Sequence, residues 1–323
     1  MTGYMPEFDL LTPATVDEAV AMHRGSEGAR FLAGGTDLIV NVRRGIAEPK
    51  ALIDLAGVEE MKSIEAKDGG LRIGAAVTLA ELLENRDLLQ AYAAVTEAVG
   101  EVASVSHREV ATIGGNLCLD TRCVYYNQSE WWRGANAYCL KYRGEICHVA
   151  PSGNHCFAAF SGDIAPAFLV FGAEVEIAGS SGRRRVPLGD IYADDGAAHL
   201  LLGEDEILTA VFLPNADSGA SGYAKARVRG AIDFPLAGVA AAVKVEQGTL
   251  VHLRLALTGT NSCPLLLEGT DAVIGKPFDD EVIDTLVSLL PKQIQPMTST
   301  LTPPGYRRRV AANLTRSLLR RLT

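Results

Sequence analysis

RFLAGGTDL, residues 30–38, sets two consecutive glycines between an apolar run and a helical one. Arg30, Phe31, Leu32 and Ala33 predict a strand, Gly34, Gly35, Thr36 and Asp37 a turn, and residues 38–44 a helix. A further strand at residues 51–55 makes the whole a βαβ-like unit. Upstream, Thr15 with Glu18 three residues later is a capping box that opens an alanine-rich helix to about His23. Glycine lacks a Cβ, so paired glycines let backbone N–H groups approach an anion, and a following helix adds its positive end. ATIGGN, residues 111–116, repeats the idea with Gly114 and Gly115. Each pair taken alone reads more readily as a tight turn. Neither matches G-x-G-x-x-G, so a Rossmann fold is not indicated.

Working outward, residues 1–58 read as a small α/β unit and residues 59–215 as a larger α+β one. In the second, Lys67-Asp68-Gly69-Gly70 predicts a hairpin turn, with helices at residues 79–85 and 88–99. A short buried helix is expected at residues 163–172, and strands at 173–177, 184–187 and 207–213. NADSGAS, residues 215–221, reads as a linker, and residues 222–323 as a third unit of strands (223–229, 239–245, 250–257) followed by helices. The last helix, residues 306–322, carries Arg307, Arg308, Arg309, Arg316, Arg320 and Arg321, read as a solvated face beside Val310, Leu314 and Leu318.

The chain has 323 residues, 48% of them hydrophobic and 21% charged, an ordinary balance for a globular protein of two or three domains. A net charge of −9 argues against nucleic acid as the main partner. No run of about 18 apolar residues is present, and the start shows neither a basic nor an apolar leader region. A cytoplasmic location with reduced thiols is therefore expected.

That expectation bears on the cysteines. Four of the six lie between Cys123 and Cys156, spaced C-x15-C-x7-C-x8-C at Cys123, Cys139, Cys147 and Cys156. Both tryptophans, Trp131 and Trp132, and four of the nine tyrosines share the segment. Metal binding explains such a cluster better than disulfides do. Four thiolates suit an all-cysteine zinc site or an iron–sulfur cluster. Short C-x2-4-C knuckles are missing, which weakens zinc, although His148 and His155 lie nearby. Unliganded thiols in a small aromatic core are the third possibility.

Five stretches occur in a telling order: RFLAGGTDL (30–38), IGAAVTLAEL (73–82), VATIGGNLC (110–118), SGDIAPAFLVFGAEVEI (161–177) and DEILTAVFLP (205–214). Together they resemble the FAD-binding subunit of the molybdenum hydroxylases, the family of xanthine dehydrogenase and carbon monoxide dehydrogenase. The resemblance covers nearly the whole chain. It implies an α+β flavoprotein fold: two FAD-binding sub-domains and a C-terminal sheet-and-helix domain. It places the FAD diphosphate at Ala33, Gly34, Gly35, Thr36 and Asp37, flanked by Phe31, Leu32 and Leu38. A second contact stretch falls on Thr112, Gly114, Gly115 and Asn116. The resemblance also implies a ribose contact at Asp163, an aliphatic flavin-ring contact at Leu208 and a basic ring neighbour at Lys225. This fits elementary chemistry, in which a diphosphate takes backbone N–H donors, a ribose a carboxylate and an apolar ring a leucine.

In that family the ATIGGN stretch runs almost directly into the aspartate stretch, but here 46 residues separate Asn116 from Asp163. About forty of them, residues 121–160, read as a cysteine-rich loop insertion. One branch of the family resembles this arrangement closely, the β subunit of 4-hydroxybenzoyl-CoA reductase, and implies a [4Fe–4S] cluster on Cys123, Cys139, Cys147 and Cys156. Cys118 and Cys263 then read as structural residues. The resemblance further implies a molybdenum-cofactor subunit and a [2Fe–2S] subunit as partners, in a dimer of heterotrimers, with a ferredoxin-like electron donor. The chain shows no general acid–base pair and no nucleophile constellation, and His107 reads as a local hydrogen-bonding residue. Substrate chemistry is therefore expected on another subunit.

Overall fold

The computed structural model describes residues 5–85, 90–216, 219–298 and 302–323. The first unit is a parallel three-stranded sheet of β1 (Asp9–Leu11), β2 (Ala29–Leu32) and β3 (Ala51–Asp54), in the order β1-β3-β2. Helix Val16–Gly25 joins β1 to β2, and helix Leu38–Arg43 joins β2 to β3. The central strand starts Ala-Leu-Ile and all three are buried, as a parallel strand covered on both faces requires. The capping box at Thr15 is half formed. Thr15 Oγ1 accepts from Glu18 N at 3.1 Å, but the Glu18 carboxylate accepts from Ala14 N at 2.8 Å, one residue early. The sequence reading had no counterpart of β1, which is three residues long with Leu10 mostly exposed, too short to show a period.

The second unit is an antiparallel five-stranded sheet. Its strands are β4 (Ile64–Lys67), β5 (Gly70–Gly74), β6 (Glu174–Gly179), β7 (Gly182–Pro187) and β8 (Ile207–Leu213), in the order β4-β5-β8-β6-β7. The expected hairpin joins β4 to β5, with Asp68 at φ 53° and Gly69 at φ 76°, the two positive angles that a two-residue turn of this hand needs. The helix expected at residues 88–99 is observed as Ala93–Gly100, and residues 88 and 89 lie outside the described residues. Helix Ile164–Val170 is buried along its whole length.

The third unit is an antiparallel sheet of β9 (Ala220–Ala226), β10 (Ala237–Glu246), β11 (Thr249–Thr258) and β12 (Leu265–Leu266), followed by helices Asp280–Gln293 and Pro304–Arg321. β9 begins inside the stretch read as a linker, of which residues 217 and 218 are not described. Strand alternation makes this sheet a seam. Ala240, Ala242 and Ala256 face the core of the first two units, while Val239, Ala241, Val243, Leu255 and Leu257 face the third unit's own helices. Small residues on the inner face let the buried helix Ile164–Val170 approach closely.

One expectation about the last helix fails. Arg307 does not join the solvated face but is 7% exposed, donating to Thr302 Oγ1 at 3.0 Å and to the Gly259 carbonyl at 3.2 Å. Residues 121–160 form a loop-rich segment around one short helix, Glu130–Ala135. Its small core holds Cys123, Tyr126, Cys139 and Cys156, and includes Ile46 from the first unit and Met297 from the third.

Candidate cofactor site

A cleft of about 940 Å³ opens between the two glycine stretches. Phe31, Ala33, Gly34, Gly35, Thr36, Asp37 and Leu38 line it from one side, and Thr112, Gly114, Gly115 and Asn116 from another. Asp163 and Leu208 complete the wall. Two of the residues singled out by resemblance stand back from it. The Leu32 side chain lies behind Gly35, and Lys225 lies behind Asp163.

The first stretch is built as a donor surface. Gly35 has φ +70°, the left-handed region that favours glycine. A Cβ on Gly34 would fall 1.7 Å from the Val110 carbonyl oxygen, so this glycine lets the two stretches touch. Among the described residues, the N–H groups of Gly34, Gly35 and Thr36 have no acceptor. Unpaired backbone donors beside a cleft suit an anionic ligand such as a diphosphate.

The second stretch differs from the loop expected. It is a single helical turn, Ile113–Leu117, capped by Thr112. Its glycine donors are already engaged, Gly114 N with the Ala75 carbonyl at 2.8 Å and Gly115 N with Thr112 Oγ1 at 3.1 Å. Here the glycines serve proximity. A Cβ on Gly114 would meet Ala75 Cβ at 2.9 Å, and one on Gly115 would lie 3.6 Å from Ala33 Cβ across the cleft floor.

Asp163 is 4% exposed and held from two directions. Tyr223 Oη donates to Oδ1 at 2.7 Å and Lys225 Nζ to Oδ2 at 2.9 Å, with Lys225 also donating to the Glu101 carbonyl at 3.0 Å. Burial outweighs these partners and pushes the Asp163 carboxyl up to about 6. The Tyr223 hydroxyl is raised well above its ordinary value by burial and by the adjacent carboxylate. Leu208 sits beside a bulge where β8 slips against β6, and Thr209 Oγ1 at the slip donates to Glu176 Oε1 at 2.7 Å. His107 lines the cleft and shares a 2.7 Å hydrogen bond with Ser104, as the sequence suggested.

The structure adds cleft residues that no motif marked. Asp120, Arg122, Ile232 and Phe234 line it, the last two from the turn between β9 and β10. Asp120 and Arg122 lie at the entry to the cysteine-rich stretch and belong to no motif.

Cys123, Cys139, Cys147 and Cys156 are all buried and free, and all four line one small cavity with Tyr125, Tyr126, Lys141 and His148. Cys123 and Tyr126 line this cavity and the large cleft alike. Burial raises the Cys123 thiol and pushes Cys156 up to about 12. A lone tetrahedral ion would need sulfurs about 2.3 Å from one point. Among the described residues no group of three or more His, Cys, Asp or Glu side chains is arranged to hold a metal ion. Cys118 and Cys263 stand apart, both pushed up to about 12 by burial.

Residues 6–216 match the family model described as the FAD binding domain in molybdopterin dehydrogenase, and residues 221–322 that of the CO dehydrogenase flavoprotein C-terminal domain. The chain belongs to the FAD-binding subunits of the molybdenum hydroxylase family. It is 34% identical over 285 residues to the aldehyde oxidoreductase FAD-binding subunit PaoB of Escherichia coli (strain K12), covering 85% of this chain and 87% of that one. It is 26% identical over 317 residues to the carbon monoxide dehydrogenase medium chain of Afipia carboxidovorans, covering 97% and 96%. Its fold superposes on a chain of the Cu,Mo-CO dehydrogenase in its cyanide-inactivated form with a TM-score of 0.79 at 25% identity, over 99% of this chain and 98% of that one. No helix among the described residues is long and apolar enough to cross a membrane.

Proposed function

We propose that this chain is an electron-transfer subunit holding FAD in the large cleft and one [4Fe–4S] cluster on Cys123, Cys139, Cys147 and Cys156. The observation that carries the reading is the shared wall, since Cys123 and Tyr126 belong to both cavities. Bound there, a flavin exchanges one or two electrons and a cluster exchanges one. The chain's own residues do the rest. Gly34, Gly35 and Thr36 offer free N–H donors to the diphosphate, Asp163 faces the ribose, Leu208 covers the ring, and Lys225 and Tyr223 fix the Asp163 carboxylate. Four thiols line the small cavity, beside His148 and under aromatic cover from Tyr125 and Tyr126.

The molybdenum-cofactor and [2Fe–2S] subunits are the proposed partners, in a cytoplasmic dimer of heterotrimers. The relatives' names, medium chain and FAD-binding subunit, support a multi-subunit assembly. For the overall reaction, the resemblance of the cysteine-rich segment to that of the 4-hydroxybenzoyl-CoA reductase β subunit implies reductive dehydroxylation of 4-hydroxybenzoyl-CoA to benzoyl-CoA, fed by a ferredoxin-like donor. A second reading is an ordinary hydroxylating enzyme with zinc in the cysteine segment, for which the 34% identity to the aldehyde oxidoreductase subunit favours an aldehyde as the substrate. The purified complex separates them. Benzoyl-CoA formed at the expense of a low-potential donor supports the first, and flavin bleaching by an aldehyde supports the second.

A further inference from the structure

The first glycine stretch contains a contradiction. It offers free N–H donors to an anion, yet Asp37 lines the same cleft one residue after Thr36. A carboxylate so close to a diphosphate repels it, and within a partly closed cleft that repulsion is weakly screened. Asn41 Nδ2 donates to Asp37 Oδ2 at 3.1 Å, but an amide carries no charge to cancel.

Arg122 supplies the cation. Its guanidinium pairs with Asp37 Oδ1, donates to Asn41 Oδ1 at 3.3 Å and lies 5.0 Å from the centre of the Phe234 ring. Its side chain is 14% exposed and that of Asp37 28%, so the pair is more sheltered than an open surface pair. Burial lowers the guanidinium to about 10, which leaves it charged at neutral pH. The backbone fixes the position. Arg122 exchanges two hydrogen bonds with Ala159, at 2.7 and 2.8 Å, and this bridge closes the base of the cysteine-rich segment.

We infer that Arg122 neutralises Asp37 so that the first glycine stretch can accept a diphosphate, which makes the cysteine-rich segment part of the flavin-binding machinery. The inference rests on the placement of the FAD diphosphate at residues 33–37 proposed above. It differs from a cluster-only view of the segment, in which nothing before Cys123 matters to flavin.

The test is FAD affinity of the full-length deflavo chain, titrated by flavin fluorescence at low and high salt, with thermal melting as a check on folding. Arg122→Gln weakens FAD roughly tenfold or more at low salt, and the loss shrinks as salt screens the exposed carboxylate. Arg122→Lys keeps most of the affinity. The double variant Asp37→Asn with Arg122→Gln returns to within about threefold of the parent, because the charge to be cancelled has gone. Unchanged affinity in Arg122→Gln, or a double variant as weak as the single one, overturns the inference. Gly35→Val tests the underlying placement separately. If it keeps full FAD affinity, the diphosphate lies elsewhere and both readings fall. If it loses FAD while Arg122→Gln does not, only the inference falls.

Discussion

Gly115 is the residue where ligand and fold demands separate most cleanly. Its φ is not in the left-handed region, and an added Cβ meets only Thr112 Oγ1 at 3.1 Å and Ala33 Cβ at 3.6 Å. Gly115→Val should therefore narrow the cleft floor while melting cooperatively, and FAD content per chain should fall steeply. Stoichiometric flavin in that variant removes the cleft from consideration. Gly34 is the opposite case, because any Cβ there collides with the Val110 carbonyl and the loss would be structural. Asp163 gives a pH test. Its folded carboxyl is raised to about 6 from an ordinary 3.8, so the folded state binds the proton more tightly than the unfolded one. Its contribution to stability is greatest below the unfolded value and is lost as pH rises through 6. On acidification from pH 7 to 4 the parent should gain stability relative to Asp163→Asn, measured by denaturant midpoints. A constant difference across that range would mean that the carboxyl titrates normally.

At the scale of elements, local chemistry was legible where one residue type has one physical meaning. Asp68-Gly69 announces a tight hairpin because both positions need positive φ, and the hairpin is there. The capping box expected at Thr15 is half formed, and the complete one, Thr78 with Glu81 on helix Leu79–Glu84, had no counterpart in the sequence reading. Thr78→Ala should cost about 1 kcal/mol, read by chemical denaturation. An effect below about 0.3 kcal/mol would mean that the helix start is held by tertiary contacts instead. What stayed hidden depends on distant partners. ATIGGN could not reveal that its donors turn inward to Ala75 and Thr112, since Ala75 is 39 residues away. Arg307 looked like its arginine neighbours, but it is buried and donates to the Gly259 carbonyl, 48 residues away. The Arg122–Asp37 pair spans 85 positions and leaves no local mark.

At the scale of the molecule, the third sheet acts as the joint between the flavin units and the C-terminal helices. Tyr223 and Lys225 from β9 grip Asp163, and Arg321 of the last helix donates to Glu97 Oε2 at 2.6 Å. The cysteine-rich segment rests on side chains from the first and third units, so its thiols are held by the whole fold rather than by local knuckles. If substrate chemistry belongs to a partner subunit, the isolated chain should turn over neither an aromatic acyl-CoA nor an aldehyde, whereas the assembled complex should turn over one of them. The most direct test of the central claim is iron, acid-labile sulfide and zinc counted per FAD on the purified complex, for the parent and for Cys147→Ser. About four iron and four sulfide per FAD are expected in the segment's site beyond those of the [2Fe–2S] subunit, lost or degraded in Cys147→Ser with FAD retained. One zinc per chain, no additional iron and full activity would contradict that claim and make the four cysteines a structural staple.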